Sequence, residues 1–155
     1  MEVYMEIDVK IKYVSDMIGQ EIKPPFYATE GAAGMDLSAA VEEDILLPKG
    51  KMAVVPTGIA ISLPNSGYVA YIYARSGLGI KHGICLSNGV GVIDSDYRGE
   101  IRVGLINLGP EDYVIKKGER IAQMVFAPVT RANLIACDSL DETQRGAGGF
   151  GSTGR

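Results

Sequence analysis

The sequence predicts an all-β domain with one short helix, built as a sandwich or barrel of many short strands. Three observations carry this. Apolar and polar residues alternate at period two over residues 3–13, the spacing of a half-buried strand, and later short segments repeat the strand signal. Turn formers separate these segments at near-regular intervals, as in sandwiches and barrels. No window carries a long 3.6-residue apolar period, so long helices are not expected.

The elements follow in order. Val3, Met5, Ile7, Val9, Ile11 and Tyr13 share one parity, and Glu6, Asp8, Lys10 and Lys12 the other. That segment reads as a β-strand arm. Further strands are expected over 35–41, 52–56, 58–63, 68–74, 83–86, 100–108, 113–115, 121–129 and 133–137. Turns are expected at Pro24-Pro25, Pro48-Lys49-Gly50, Pro64-Asn65-Ser66-Gly67, Leu108-Gly109-Pro110 and Lys117-Gly118. The helix is expected over 76–81. Nothing marks an interdomain linker, and 155 residues at about 150 per domain make one domain.

Charge and composition exclude several functions. Fifteen basic against nineteen acidic residues leave a net charge of −4, which disfavours a sequence-independent nucleic-acid binder. No apolar run is long enough to span a membrane. The charged alternation of residues 1–12 is unlike the continuous apolar run of a signal peptide. Cys85 and Cys137 are far apart and form no C-x-x-C pair. They read as free buried thiols of a reducing compartment, with a disulfide left open, and the expected location is cytoplasmic. His82 is the single histidine, so a His/Cys zinc site cannot be assembled. A Ser-His-Asp triad would have to run through this turn-like position and is disfavoured. Twenty glycines and seven prolines stay below the level of a disordered chain. Their number asks for many turns, or for backbone brought close to a ligand.

Polar residues break the β pattern in five places. Ala33-Gly34-Met35-Asp36-Leu37 puts an acid inside an apolar strand. Ala74-Arg75-Ser76-Gly77-Leu78-Gly79 puts Arg, Ser and Gly at a strand-to-helix junction, where free N–H groups favour an anion. Residues 88–100 read as a glycine-rich hairpin followed by a dense polar cluster around Asp94 and Tyr97. Gly118-Glu119-Arg120-Ile121-Ala122-Gln123 opens a strand with Gln123 inside it. Residues 145–155 read by composition as a flexible tail. Yet Phe150 stands alone among glycines, with Arg145 and Arg155 at the two ends. Taken singly, each stretch has a plain structural account. Asp36 would cap a turn or pair with a core arginine, Arg75 and Ser76 would cap a helix, and the glycine hairpin would only turn.

Taken together, in this order, the five stretches resemble the five motifs of the homotrimeric dUTPase (dUTP pyrophosphatase) family. Gly-Val-Ile-Asp-Ser-Asp-Tyr-Arg-Gly-Glu, followed by Arg-Gly-x-Gly-Gly-Phe-Gly-Ser-Thr-Gly, carries most of the likeness. The resemblance runs from about residue 27 to the end and leaves only the N-terminal arm outside.

The resemblance implies hydrolysis of dUTP to dUMP and pyrophosphate, which keeps uracil out of DNA and supplies dUMP for thymidylate. It implies that Asp94 orients and deprotonates the attacking water, as a positioned base would. Tyr97 would lie under the deoxyribose and exclude a 2′-hydroxyl. Asn88 and the backbone of Gly91, Val92 and Ile93 would read the uracil edge. Arg75, Ser76, Gly77 and Gln123, with Arg145, Gly151 and Ser152 of the tail, would hold the triphosphate. Arg102 would contact the nucleotide, Asp36 would orient Arg75, and Phe150 would stack on the uracil as the tail closes. Mg²⁺ would ride on the triphosphate with water ligands rather than in a protein cage. A jelly-roll-like β domain over 1–144 would carry a glycine-rich lid over 145–155, and three copies would share three sites. The partners expected are dUTP and further copies of the chain, with no nucleic acid or membrane. The nearest alternative, a dCTP deaminase or a bifunctional deaminase–dUTPase, needs a glutamate where Gly104 stands. A non-catalytic trimeric nucleotide-binding relative would be expected to lack Asp94 or the tail motif.

Overall fold

The computed structural model describes residues 6–150. Twelve short strands and one helix are present. The strands are β1 (Lys10–Tyr13), β2 (Phe26–Tyr27), β3 (Met35–Ser38), β4 (Ile45–Leu47), β5 (Met52–Pro56), β6 (Ile59–Ser62), β7 (Tyr68–Ala74), β8 (Ile84–Leu86), β9 (Gly91–Ile93), β10 (Arg102–Asn107), β11 (Tyr113–Ile115) and β12 (Arg120–Pro128). The helix α1 spans Ser76–His82. It ends on Gly83 in the left-handed conformation at φ 70, with the Gly83 N–H returning to the helix carbonyls, which is how glycine closes a helix.

The strands form four sheets among the described residues. The largest has the order β2-β3-β12-β7-β9, and the others are β5-β10-β8, β1-β6 and β11-β4. All named pairings are antiparallel. The sheets do not close into a barrel, so the barrel half of the expectation falls. Strands this short end at turn residues before the hydrogen-bond ladder can run round.

The core lies between the sheets. On β10, Val103, Leu105 and Asn107 point inward, and on β12, Ile121, Ala122 and Met124 are buried. Asn107 is fully buried, yet its polar atoms are satisfied. Its Nδ2 donates to the carbonyls of Leu47 and Glu111, and its Oδ1 accepts from Gly109 N–H. A buried amide without such partners would cost about 1–3 kcal/mol per orphaned group.

Several expectations need correction. Among the described residues the N-terminal arm is a strand only over Lys10–Tyr13, where all four residues are exposed; Val3 and Met5 lie outside the described residues. This strand pairs with β6 alone, so neither of its faces meets the core. The expected alternation survives just before it, where Ile7 and Val9 are half-buried between exposed neighbours. Residues 133–137 form no strand, and Leu134 and Ile135 are almost fully exposed. Strands β2 and β4 were not expected, because two or three residues are too few to display a period. The thiols are free but not buried, with Cys85 half-exposed and Cys137 exposed.

Candidate active site

Strand β7, paired between β12 and β9, sets the candidate residues in two groups, one at each end. The first group lies where β7 runs into α1. Asp36 of β3 is 9% exposed, and its Oδ1 accepts from Arg75 Nε at 2.9 Å while its Oδ2 accepts from Arg120 Nη1 at 2.8 Å. Arg75 Nη1 also donates to the Arg120 carbonyl at 3.2 Å. One carboxylate between two guanidiniums leaves positive charge over, on side chains that are partly open to solvent. Two planar, permanently charged donor forks held in this way suit phosphate.

Register brings the rest of this group together. Asp36 of β3 stands opposite Gln123 of β12, and Gln123 opposite Tyr73 of β7. Gln123 Nε2 donates to the Ala74 carbonyl at 3.1 Å. Gly34 leaves the space that Gln123 occupies, since a Cβ there would meet its Oε1 at 2.9 Å. Ser76 and Gly77 open α1, both are exposed, and no N-cap side chain satisfies the first N–H groups. The expectation that Arg75 and Ser76 only cap a helix therefore fails. Nothing lies within 4 Å of a Cβ built on Gly77, so nothing within the described chain demands its bareness.

The second group lies at the other end of β7. Strand β9 pairs with it through Ala70 to Ile93, Tyr71 to Val92 and Ile72 to Gly91. The 88–100 stretch is therefore not the expected simple hairpin. Its turn, with Asn88 exposed, carries the chain from β8 in one sheet to β9 in another. Gly91 lets β9 lie close on β7, since a Cβ there would meet Ile72 Cβ at 2.9 Å. Val92 is 57% exposed and Ile93 half-buried. The loop after β9 holds Asp94 and Tyr97, both exposed. A cleft of about 530 Å³ lies here, lined in part by Tyr71, Val92, Asp94 and Asp96. Arg102 stands on β10 and donates from Nε to Glu100 Oε2 at 3.0 Å.

The two groups do not meet within one chain. Register sets Asp94 beside Val69, six residues before Arg75. At about 3.3 Å per residue the two ends are roughly 20 Å apart. The described part of the tail, residues 145–150, joins neither group. Arg145 Nε donates to the Gly148 carbonyl at 2.8 Å, within its own segment, and Phe150 is fully exposed. Gly151 and Ser152 lie outside the described residues.

Arg120 and Glu100 were not named individually from the sequence, although the structure ties them to the candidates Asp36 and Arg102. Both sit inside stretches that the sequence singled out. The available signal for Arg120 was two arginines set against one acid in the matched stretches. Glu100 gave none, because its partner Gly58 lies 42 residues away.

Known proteins match this arrangement. The dUTPase family model matches residues 20–154. A deoxyuridine 5′-triphosphate nucleotidohydrolase of Desulfitobacterium hafniense is 55% identical over 148 residues, covering 96% of this chain and 97% of that protein. The enzyme of that name from Rickettsia felis is 56% identical over 146 residues, covering 94% and 96%. A solved Staphylococcus bacteriophage 80alpha dUTPase with dUpNHpp superposes with a TM-score of 0.83 at 26% identity, over 96% of this chain and 99% of that one. With its five motifs in order and its fold shared with a solved dUTPase, the chain belongs to the dUTPase family.

Proposed function

We propose that the protein hydrolyses dUTP to dUMP and pyrophosphate. The observation that carries this, in a chain of this family, is the pair of arginines held on Asp36 at one end of β7 with the Asp94–Tyr97 loop at the other. Arg75, Arg120, Ser76, Gly77 and Gln123 grip the triphosphate. Asp94 takes a proton from a water, whose oxygen attacks the α-phosphorus in line as pyrophosphate leaves. The Tyr97 ring walls the sugar and refuses a 2′-hydroxyl. Asn88 and the bare backbone of Gly91, Val92 and Ile93 read the uracil, and Arg102 contacts the nucleotide.

The separation along β7 supports a site shared between copies. Base and phosphate grip must both reach one phosphate chain through hydrogen bonds of about 3 Å. Ends roughly 20 Å apart within one chain cannot do this. Two copies, Asp94 from one and Arg75 from another, complete the site. Cyclic closure of such a head-to-tail contact gives a ring, and the reading is a homotrimer of jelly-roll-like domains. The segment over 145–155 acts as a lid, with Arg145, Gly151 and Ser152 on phosphate and Phe150 on the base.

Among the described residues no three His, Cys, Asp or Glu groups converge on a point. Asp94 and Asp96, both exposed on the loop after β9, would help to orient the waters of a Mg²⁺ carried by the phosphates. Bound there, Mg²⁺ would neutralise the charge that builds up on the phosphates. No helix among the described residues is long and apolar enough to cross a membrane, and work on a deoxynucleotide pool suits a cytoplasmic location. The deaminase alternative gains nothing. A Cβ on Gly104 would meet Ser87 Oγ at 2.5 Å, so a glutamate there would have to turn the Ser87 side chain aside.

The test is a nucleotide panel with Mg²⁺. Pyrophosphate release should be fast from dUTP and far slower from dCTP, dTTP and UTP. Equal rates on all four would refute the reading.

A further inference from the structure

The loop over residues 94–101 carries both Asp94 and Tyr97, and its shape and its position have different sources. Its shape is local. Tyr97 N–H donates to the Asp94 carbonyl at 3.1 Å, and Tyr97 Oη donates to the Glu100 carbonyl at 2.9 Å. Arg98 Nη1 donates to the carbonyls of Ser95 and Tyr97 at 2.8 and 2.9 Å. All of these bonds lie inside the loop, so they would move with it.

The position depends on Glu100. Its Oε1 accepts from Gly58 N–H at 3.0 Å, and its Oε2 accepts from Arg102 Nε at 3.0 Å. Gly58 is a fixed point. It turns at φ +71, and a Cβ there would meet Ile18 and Ser15 at 2.9 Å. The Glu100 side chain is 22% exposed, sheltered enough for its charge-assisted bonds to hold. The Tyr97 hydroxyl rests on the backbone of the same residue. One side chain thus ties the proposed sugar wall, the Arg102 fork and a rigid turn of the core.

We propose that Glu100 is a positioning residue that fixes the Tyr97 ring against the sugar and so sets the discrimination between deoxyribo- and ribonucleotide. The proposal rests on the dUTP reading given above. Its removal would not release the strand that follows, because Ile101 N–H donates to the Ile59 carbonyl at 2.8 Å and Thr57 Oγ1 donates to the Ile101 carbonyl at 2.6 Å. The expected consequence is a displaced loop on an intact sheet. Misplacement by about 1 Å is enough to cost up to 10²-fold in rate.

The experiment measures kcat and KM on dUTP and on UTP for the full chain, Glu100→Ala, Glu100→Gln and Glu100→Asp, with thermal melting alongside. Glu100→Ala should lower the ratio of kcat/KM for dUTP over UTP by about tenfold or more. Glu100→Gln keeps an oxygen for Gly58 N–H but turns an amide toward Arg102. It should hold the ratio near that of the unmodified chain and raise KM. Glu100→Asp is one methylene too short to reach both partners, and should lose the ratio as Glu100→Ala does. It decides the matter if Glu100→Ala does not fold. An unchanged ratio in folded Glu100→Ala or Glu100→Asp overturns the proposal, as does a loss in Glu100→Gln equal to that in Glu100→Ala. If the unmodified chain does not prefer dUTP, the functional reading fails and the proposal with it.

Discussion

The Asp36 carboxylate allows the most quantitative prediction. Asp36→Asn keeps the volume and removes the charge. One amide oxygen can still accept from Arg75 Nε, while the amide nitrogen faces Arg120 and repels it. Charge-assisted bonds contribute about 1.5–3 kcal/mol each when sheltered. The Arg75 partner is 26% exposed and belongs near the lower end of that range, whereas the Arg120 partner is 45% exposed and is worth about 1 kcal/mol or less. The expected loss is about 2 kcal/mol in all. For a chain of this size that is a fall in Tm of about 4–8 °C. Both arginines would remain charged but lose their common aim, so KM for dUTP should rise by about tenfold. Melting curves at one fixed protein concentration, with steady-state kinetics on the same preparation, read both effects. An unchanged Tm with an unchanged KM would refute the network as described. A lower Tm with an unchanged KM would leave Asp36 a fold residue that does not direct the phosphate grip.

Three further outcomes follow from the same geometry. Asp94→Asn and Arg75→Ala should each be nearly inactive alone, whereas a one-to-one mixture refolded together should regain about a quarter of normal activity by random assembly of cyclic sites; no recovery would argue for sites within single chains. Deleting residues 145–155 should abolish most turnover and leave Tm nearly unchanged, because Arg145 bonds only within its own segment and Phe150 is fully exposed; a lower Tm would make the tail structural. The Tyr113 hydroxyl is pushed up to about 12 from 10.0, first by burial and then by its bond to Glu119. Its contribution to stability is complete below pH 10, since the folded state then holds its proton more tightly, and it is lost as pH rises from 10 toward 12. Tyr113→Phe should flatten that alkaline loss in a urea midpoint series.

The fold was legible where the physics is local. The short apolar runs 68–74 and 52–56, bounded by turn formers, report strands, and β7 and β5 occupy those spans unchanged. Helix α1 runs one residue past its expected end, to His82, because Gly83 supplies the left-handed stop. The failures came where pairing, not pattern, decides. Residues 133–137 are a short apolar run of strand length, but no edge among the described residues receives them. Residues 91–93 hold too few side chains to show a period, yet register against β7 makes them a strand. Binary pattern says which residues want a sheet and cannot say which sheet will accept them.

The site divides in the same way. Each motif is a contiguous stretch, so the resemblance to the dUTPase family brings out Arg75, Asp94 and Gln123 as candidates, although each stretch taken singly has a plain structural account. Their relation in space is a matter of antiparallel register, to which contiguous residues give no clue. Once Ile93 is set beside Ala70 and Arg75 follows Ala74, the two groups must face opposite ends of one strand. Gly77 then makes sense. It has no left-handed φ and no crowding neighbour among the described residues, although glycine in a helix costs about 1 kcal/mol against alanine. A bare position that its own chain does not require is accounted for, on the proposed function, by the phosphate that Arg75 and Arg120 would hold.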